Sequence, residues 1–205
     1  MQKNDLIELE ITDITAEGSG IGRYDGIVIF TPLTAVGDIA RVKILKVKKT
    51  YAYAKLEEIV SPSPERITDS CGVFRQCGGC VFRHISYEAE LRLKYSKVYE
   101  SMKRIGGIDI KPQPIIPSEK IKGYRNKAQY PVASDGTAGF FAPHSHRIIP
   151  CGGCALQPEI FGRITAAFSE WIKANGVSVY DEARHCGLIR HIYTVSYTHL
   201  TLPTT

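Results

Sequence analysis

The feature that most restricts this fold is a series of short apolar–polar alternations packed into residues 6–59. The runs Leu6-Ile7-Glu8-Leu9-Glu10-Ile11, Gly26-Ile27-Val28-Ile29-Phe30, Ile39 to Val47 and Tyr51 to Leu56 each change character at nearly every step, and glycine or proline separates them. A period of two sends successive side chains to opposite faces of a strand. Four or five such strands at this spacing predict a small closed β-barrel. Glu17-Gly18-Ser19-Gly20-Ile21-Gly22 and Tyr24-Asp25-Gly26 are read as hairpin ends. The first of these lacks the glycine spacing and the following helical pattern of a phosphate-binding loop.

Ser61-Pro62-Ser63-Pro64 interrupts the alternation, since two prolines so close together cannot continue a ladder, and a domain boundary is placed there. Ser86 then caps a helix whose apolar positions Leu91, Tyr95, Val98, Met102 and Ile105 recur every three or four residues, ending at Gly106-Gly107. A proline-rich connector over 108–121 leads to strands over Tyr124–Val132, Gly139–Ala142 and Arg147–Ile149. A second helix is predicted over Pro158–Asn175, with Ile160, Ile164, Ala167, Phe168, Trp171 and Ile172 on its buried face and Trp171 in the core; a last strand covers Gly187–Thr194. The fold class is therefore α+β: a five-stranded barrel over 1–60, a cysteine-rich loop over 61–85, a helix and connector over 86–123, and a mixed α/β domain over 124–195. Residues 196–205 continue none of these patterns, and the tail is expected to be foreign, a translated sequencing adapter.

The chain has 205 residues, 43% of them hydrophobic, which is enough for ordinary cores. It contains no apolar run of about eighteen residues, and Met1-Gln2-Lys3-Asn4-Asp5 does not resemble a secretory leader, so a cytoplasmic location with no membrane partner is expected. In that setting the six cysteines suit metal or cluster ligation better than disulfides. The net charge is only +5, but residues 92–130 hold ten Lys or Arg against Glu100, Asp109 and Glu119, a block that would attract a polyanion. Any single one of those cations is more ordinarily a solvated surface residue.

Cys71-x5-Cys77-x2-Cys80, with Gly78-Gly79 inside it and a distant partner at Cys151 or Cys154, carries the main chemical signal. Three thiolates in one loop and a fourth from elsewhere suit a cubane iron–sulfur cluster, with glycines allowing the backbone to wrap it. Cys77-x2-Cys80 and Cys151-x2-Cys154 equally form two knuckles able to hold a structural zinc, although their separation exceeds ordinary zinc spacing and Cys71 is left over. Spacing alone leaves both open. Cys186, in Arg184-His185-Cys186-Gly187-Leu188, has no nearby cysteine and is expected to be a buried inert thiol.

Together these pieces resemble the ribosomal RNA uracil-5-methyltransferases, which join a TRAM barrel to an iron–sulfur domain and a methyltransferase domain. The resemblance runs through Ser61-Pro62-Ser63-Pro64-Glu65-Arg66, the Cys71…Cys77-Gly78-Gly79-Cys80 loop, Tyr124-Arg125-Asn126-Lys127-Ala128-Gln129, Gly139-Phe140-Phe141-Ala142, Ser145-His146-Arg147-Ile148-Ile149 and Cys154-Ala155-Leu156-Gln157. It implies that Cys71, Cys77, Cys80 and Cys154 hold a [4Fe-4S] cluster, with Cys151 an additional thiol. It also implies S-adenosylmethionine as methyl donor in the full-length enzyme, and a nucleophilic cysteine and a base in a Rossmann-like domain whose motifs do not occur in these 205 residues. In such enzymes a thiolate adds to C6 of a flipped uracil, C5 takes the methyl group, and a base removes the C5 proton. This chain is then expected to be an N-terminal fragment without catalytic residues, acting as a monomer on ribosomal RNA and not on DNA.

Expected RNA contacts are Arg125, Lys127 and Gln129 on one strand face, Asn126 beside them, and Lys43, Lys46, Lys48 and Lys49 on the barrel. Two rival readings use the same residues: a free-standing RNA-binding module with a structural zinc or cluster, and a redox protein. No flavin, nicotinamide or second-cluster motif supports the redox reading.

Overall fold

The computed structural model of the chain describes residues 1–68 and 71–197. Five strands, β1 (Leu6–Ile14), β2 (Ser19–Tyr24), β3 (Ile27–Pro32), β4 (Ile39–Val47) and β5 (Tyr51–Ser61), close into a barrel in the order β1-β2-β3-β5-β4. Pairing of β1 with β4 completes the ring, and the parallel join of β3 to β5 spans three residue pairs. The inward positions of the alternation, Leu9, Ile11, Ile29, Val42, Ile44 and Ala54, fill the interior. Removing those side chains from water drives the closure.

Two local features explain the ends of the strands. Asp25 and Gly26, at φ 49° and 78°, make the two-residue turn between β2 and β3 that the right-handed strand twist favours. Gly20 and Gly22, expected at a hairpin end, instead lie inside β2. A Cβ on Gly22 would stand 2.5 Å from the Glu10 carbonyl oxygen, so glycine there permits close approach of two strands and does not mark a turn.

The double-proline segment is tied to the barrel by one buried carboxylate. Asp38 accepts hydrogen bonds from Ala35 N (2.6 Å), Ser63 N (2.8 Å) and Arg66 Nε (3.1 Å), and pairs with Arg66 Nη2 as well. The first compact unit comprises the barrel together with Cys80–Pro117, and the second comprises Cys71–Gly79 with the residues from Ser118 onward.

In the first unit, α1 (Tyr87–Arg104) begins as expected, with Ser86 Oγ accepting a bond from Ala89 N at 3.2 Å. Its expected apolar stripe is mostly not buried: Ala89 packs with Ala35 and Ile85, while Val98 and Ile105 are exposed. Charge pairs line the rest of the helix, Lys94 with Glu90 and Arg104 with Glu100 at the four-residue step and Lys103 with Asp109 beyond the helix end.

In the second unit, β6 (Lys127–Pro131) pairs antiparallel with β9 (His191–Val195), and β7 (Gly139–Phe141) with β8 (Ile148–Pro150). The strand expected from Tyr124 thus starts three residues later, and that expected from Gly187 starts at His191. The helix α2 (Glu159–Ala174) packs Phe161 and Ile172 against Tyr130, Val132 and Ile192. Thr165 is buried too, its hydroxyl donating to Phe161 O at 2.7 Å. Trp171, placed in the core from the sequence, is 48% exposed, and Ile160, Ile164 and Phe168 are exposed with it. Of the tail expected to be foreign, Ser196 donates its N–H to Asn126 O at 2.8 Å, while residues 198–205 lie outside the described residues. Among the described residues, no helix is long and apolar enough to cross a membrane.

Candidate functional site

The thiol group of the second unit is built from two chain segments. The segment 71–79 turns back on itself, with Phe74 N donating to Cys71 O at 3.1 Å and Cys77 N to Val73 O at 2.8 Å. Gly78 N donates to Phe141 O at 2.9 Å, and a Cβ on Gly78 would stand 3.0 Å from that oxygen, so the loop lies close against the β7 end. Gly79 N–H points to Cys77 Sγ at 3.4 Å, a donor of the kind that stabilises sulfur carrying negative charge.

Cys154 comes from the other segment. Its carbonyl accepts from Gln157 N, while Ala155 O and Leu156 O accept from Gly123 N (2.9 Å) and Arg125 N (2.8 Å). The Gln157 side chain, buried, accepts from the Tyr130 hydroxyl on β6. The Cys-Ala-Leu-Gln run is thus held as a short edge beside the approach to β6, which fixes where Cys154 stands.

Burial is the main cause that raises the Cys77 thiol above its usual range, with Cys71 and Cys154 adding to the effect. Cys151, buried at the end of β8, is pushed up to about 11, by burial first and then by Cys154, with smaller effects from Cys71 and Cys77. Burial and neighbouring thiols thus favour the protonated form of Cys77 and Cys151. A bound metal centre would reverse that preference.

Soft sulfur donors, partial burial and the glycine N–H suit a thiophilic centre in kind. Among the described residues, no three His, Cys, Asp or Glu side chains stand in metal-holding geometry. Of the four ligands expected from sequence, Cys71, Cys77 and Cys154 belong to this unit, whereas Cys80 belongs to the first. Among the described residues, none of the six cysteines forms a disulfide. Cys186 is exposed and not buried as expected, because it closes the tight bend opposite Asp181, whose N–H donates to Cys186 O at 2.7 Å.

The expected RNA-facing residues are placed as follows. Lys127 and Gln129 project from the exposed face of β6, opposite Val195 and Tyr193 of β9. Arg125 and Asn126 precede the strand, so the expected face of three alternating residues contains two of them. Lys46, Lys48 and Lys49 are exposed at the end of β4 and in the turn after it, and Lys43 is half-buried on the outer barrel wall. The basic block over 92–130 is less positive than its composition suggests, because Arg92 pairs with Glu65 in addition to the α1 pairs above.

Two groupings were not found from sequence. Phe30, Tyr51 and Tyr53 meet on the outside of the barrel, and the signal was present in Tyr51-Ala52-Tyr53, where an alternating strand puts two aromatic rings on one face. In the second unit a cleft of about 250 Å³ is lined by Phe141, His146, Tyr180, Glu182, Arg190 and His191. There Glu182 accepts from His146 Nδ1 (2.8 Å) and Arg190 Nη2 (2.9 Å), and these hydrogen bonds hold its carboxyl below the usual range.

A family model described as the TRAM domain matches residues 2–56. A protein of Clostridium tetani named uncharacterized RNA methyltransferase is 38% identical over 195 residues, covering 94% of this chain and 42% of its own length. A protein of Halalkalibacterium halodurans with the same description is 38% identical over 196 residues, covering 94% of this chain and 43% of its own. The chain thus spans less than half the length of these curated relatives. Among solved structures, the Pyrococcus abyssi tRNA (uracil-54, C5)-methyltransferase in complex with S-adenosyl-L-homocysteine matches with a TM-score of 0.64 at 24% identity, over 91% of this chain and 42% of that one. That likeness shows a shared fold.

Proposed function

From a chain that carries a TRAM domain and is homologous over nearly all its length to proteins named RNA methyltransferases, we propose that it is the RNA-recognition part of an S-adenosylmethionine-dependent RNA uracil-5-methyltransferase. The observation that carries this reading is the 38% identity over 94% of the chain to such proteins. The barrel supplies cations at its β4 end, and the β6–β9 face supplies Lys127 and Gln129, groups suited to phosphates and to base edges. Cys71, Cys77 and Cys154, with Cys80 as fourth ligand from the same loop, hold a [4Fe-4S] cluster whose role is to fix that scaffold. The proximity of the second-unit thiols and the Gly79 N–H at Cys77 support this assignment. Ribosomal RNA is the proposed substrate.

The test uses the complete natural reading frame that contains this chain. Purified without oxygen and incubated with methyl-labelled S-adenosylmethionine, it is expected to place label in 5-methyluridine of unmodified ribosomal RNA and not of transfer RNA. Label in transfer RNA would reverse the substrate assignment, and no labelled 5-methyluridine in either would remove the proposed activity.

A further inference from the structure

We propose that Phe30, Tyr51 and Tyr53 form a stacking platform on the outer barrel wall that takes the unpaired bases of single-stranded RNA, with Lys46 placed beside it for the backbone. The inference rests on the RNA-recognition reading above and names where on the barrel the strand lies. Register places the group: Phe30 on β3 pairs with Tyr53 on β5, which pairs in turn with Lys46 on β4, so one row crosses three strands. Tyr51 stands two residues before Tyr53 on the same face, beside Val28. On the far side, Arg23 of β2 pairs with Val28.

The rings touch one another, with centroids 5.9 Å apart for Phe30 and Tyr51, 5.8 Å for Phe30 and Tyr53, and 5.5 Å for Tyr51 and Tyr53. Tyr53 is 45% exposed despite these contacts. Rings already held by neighbours lose little freedom when a ligand arrives, which favours binding. Aromatic faces accept any base, so the site reads single-strandedness and not sequence.

Charge selects the occupant. Lys46 stands opposite Tyr53, Arg23 lies beyond Val28, and Lys43, Lys48 and Lys49 follow on β4 and in its turn to β5; none of the five has an acidic partner among the described residues. Lys55 is not counted, because Glu57 holds it at 3.3 Å. An apolar patch alone would suit a protein partner, but an aromatic patch rimmed by unpaired cations suits a polyanion with π-faces. A base-paired duplex keeps its faces stacked internally and offers the platform only phosphates.

The platform also covers the short parallel join of β3 and β5, so a purely structural role must be separated from binding. The substitutions Tyr53→Leu and Phe30→Leu keep an apolar cover and remove the π-face. The whole 205-residue chain and its variants are titrated into labelled polyuridine and into a labelled RNA duplex, with thermal unfolding recorded in parallel. Each Leu variant is expected to unfold near the temperature of the unaltered chain and to bind polyuridine about five- to tenfold more weakly, with duplex binding unchanged. Lys46→Gln is expected to reduce the salt dependence of polyuridine binding and to leave folding intact. If the unaltered chain binds polyuridine and folded Leu variants bind it equally well, the platform is wrong while the RNA-recognition reading stands. If the unaltered chain binds no RNA at all, both fail.

Discussion

At the scale of single residues, Asp38 contributes most to holding the first unit together. Its carboxylate is fully buried and serves two backbone N–H groups and the Arg66 guanidinium, so it replaces water's contacts with four from the protein. Burial by itself would raise its pKa. The hydrogen bond to Arg66 and those to Ala35 and Ser63 together outweigh that and hold it below the usual 3.8. Truncating it takes the carboxylate from the Ala35 and Ser63 N–H groups and leaves the Arg66 guanidinium only the Leu33 carbonyl, and Asp38→Ala is expected to cost about 3–5 kcal/mol in urea unfolding at neutral pH. Because the folded pKa is depressed, the contribution is complete above the unfolded value and disappears as pH falls through the lower folded one. The difference between the unaltered chain and Asp38→Ala should therefore shrink only below about pH 4. Burial, with a smaller effect of Arg66, lowers the pKa of nearby His84 from 6.5; its Nε2 donates to Thr34 O at 3.0 Å, and its share of stability begins to fall as pH drops below 6.5.

At the scale of elements, α2 shows what periodicity settles and what it leaves open. Apolar side chains occupy so much of its circumference that the three- and four-residue steps identify a helix without identifying its inner face. The inner face is the one with Phe161, Thr165 and Ile172, and Thr165 disguises it by satisfying its own hydroxyl within the helix. Ile172→Ala is accordingly expected to cost about 2–5 kcal/mol, whereas Trp171→Ala should change stability by less than about 1 kcal/mol, both read from thermal unfolding. Reversal of that order would put the wrong face inward. The barrel was legible because a half-buried strand must alternate, and every strand of it does so on its inner side. The glycines of β2 were misread because the same residue serves a turn and a close strand contact, and only their spatial neighbours, Thr34 and Ile11 at Gly20 and Glu10 and Leu9 at Gly22, distinguish the two. Tyr51 and Tyr53 were legible as one aromatic face, but Phe30 was not: parallel pairing of β3 with β5 brings it to Tyr53 across more than twenty residues of sequence, and no local pattern announces that contact.

At the scale of the whole molecule, a TRAM barrel and a thiol-rich second unit occur in one chain that spans 42% of the Clostridium tetani relative. The cysteine loop and its distant partner at Cys151 or Cys154 were legible from spacing, but the burial of Cys151 at the end of β8, which raises its thiol, was not. Reconstituted with iron and sulfide without oxygen, the chain is expected to turn brown and absorb broadly near about 400 nm, and Cys71→Ser or Cys154→Ser to abolish that band. A colourless chain that retains zinc would replace the cluster with a structural metal. The proposed function requires this chain to bind RNA by itself. The most direct measurement is the binding of unmodified ribosomal RNA to the 205-residue chain across a salt series, with DNA of the same sequence as competitor. Tight, salt-sensitive binding that single-stranded RNA displaces and duplex DNA does not is the predicted result, and equal displacement by both, or no binding at low salt, would contradict it.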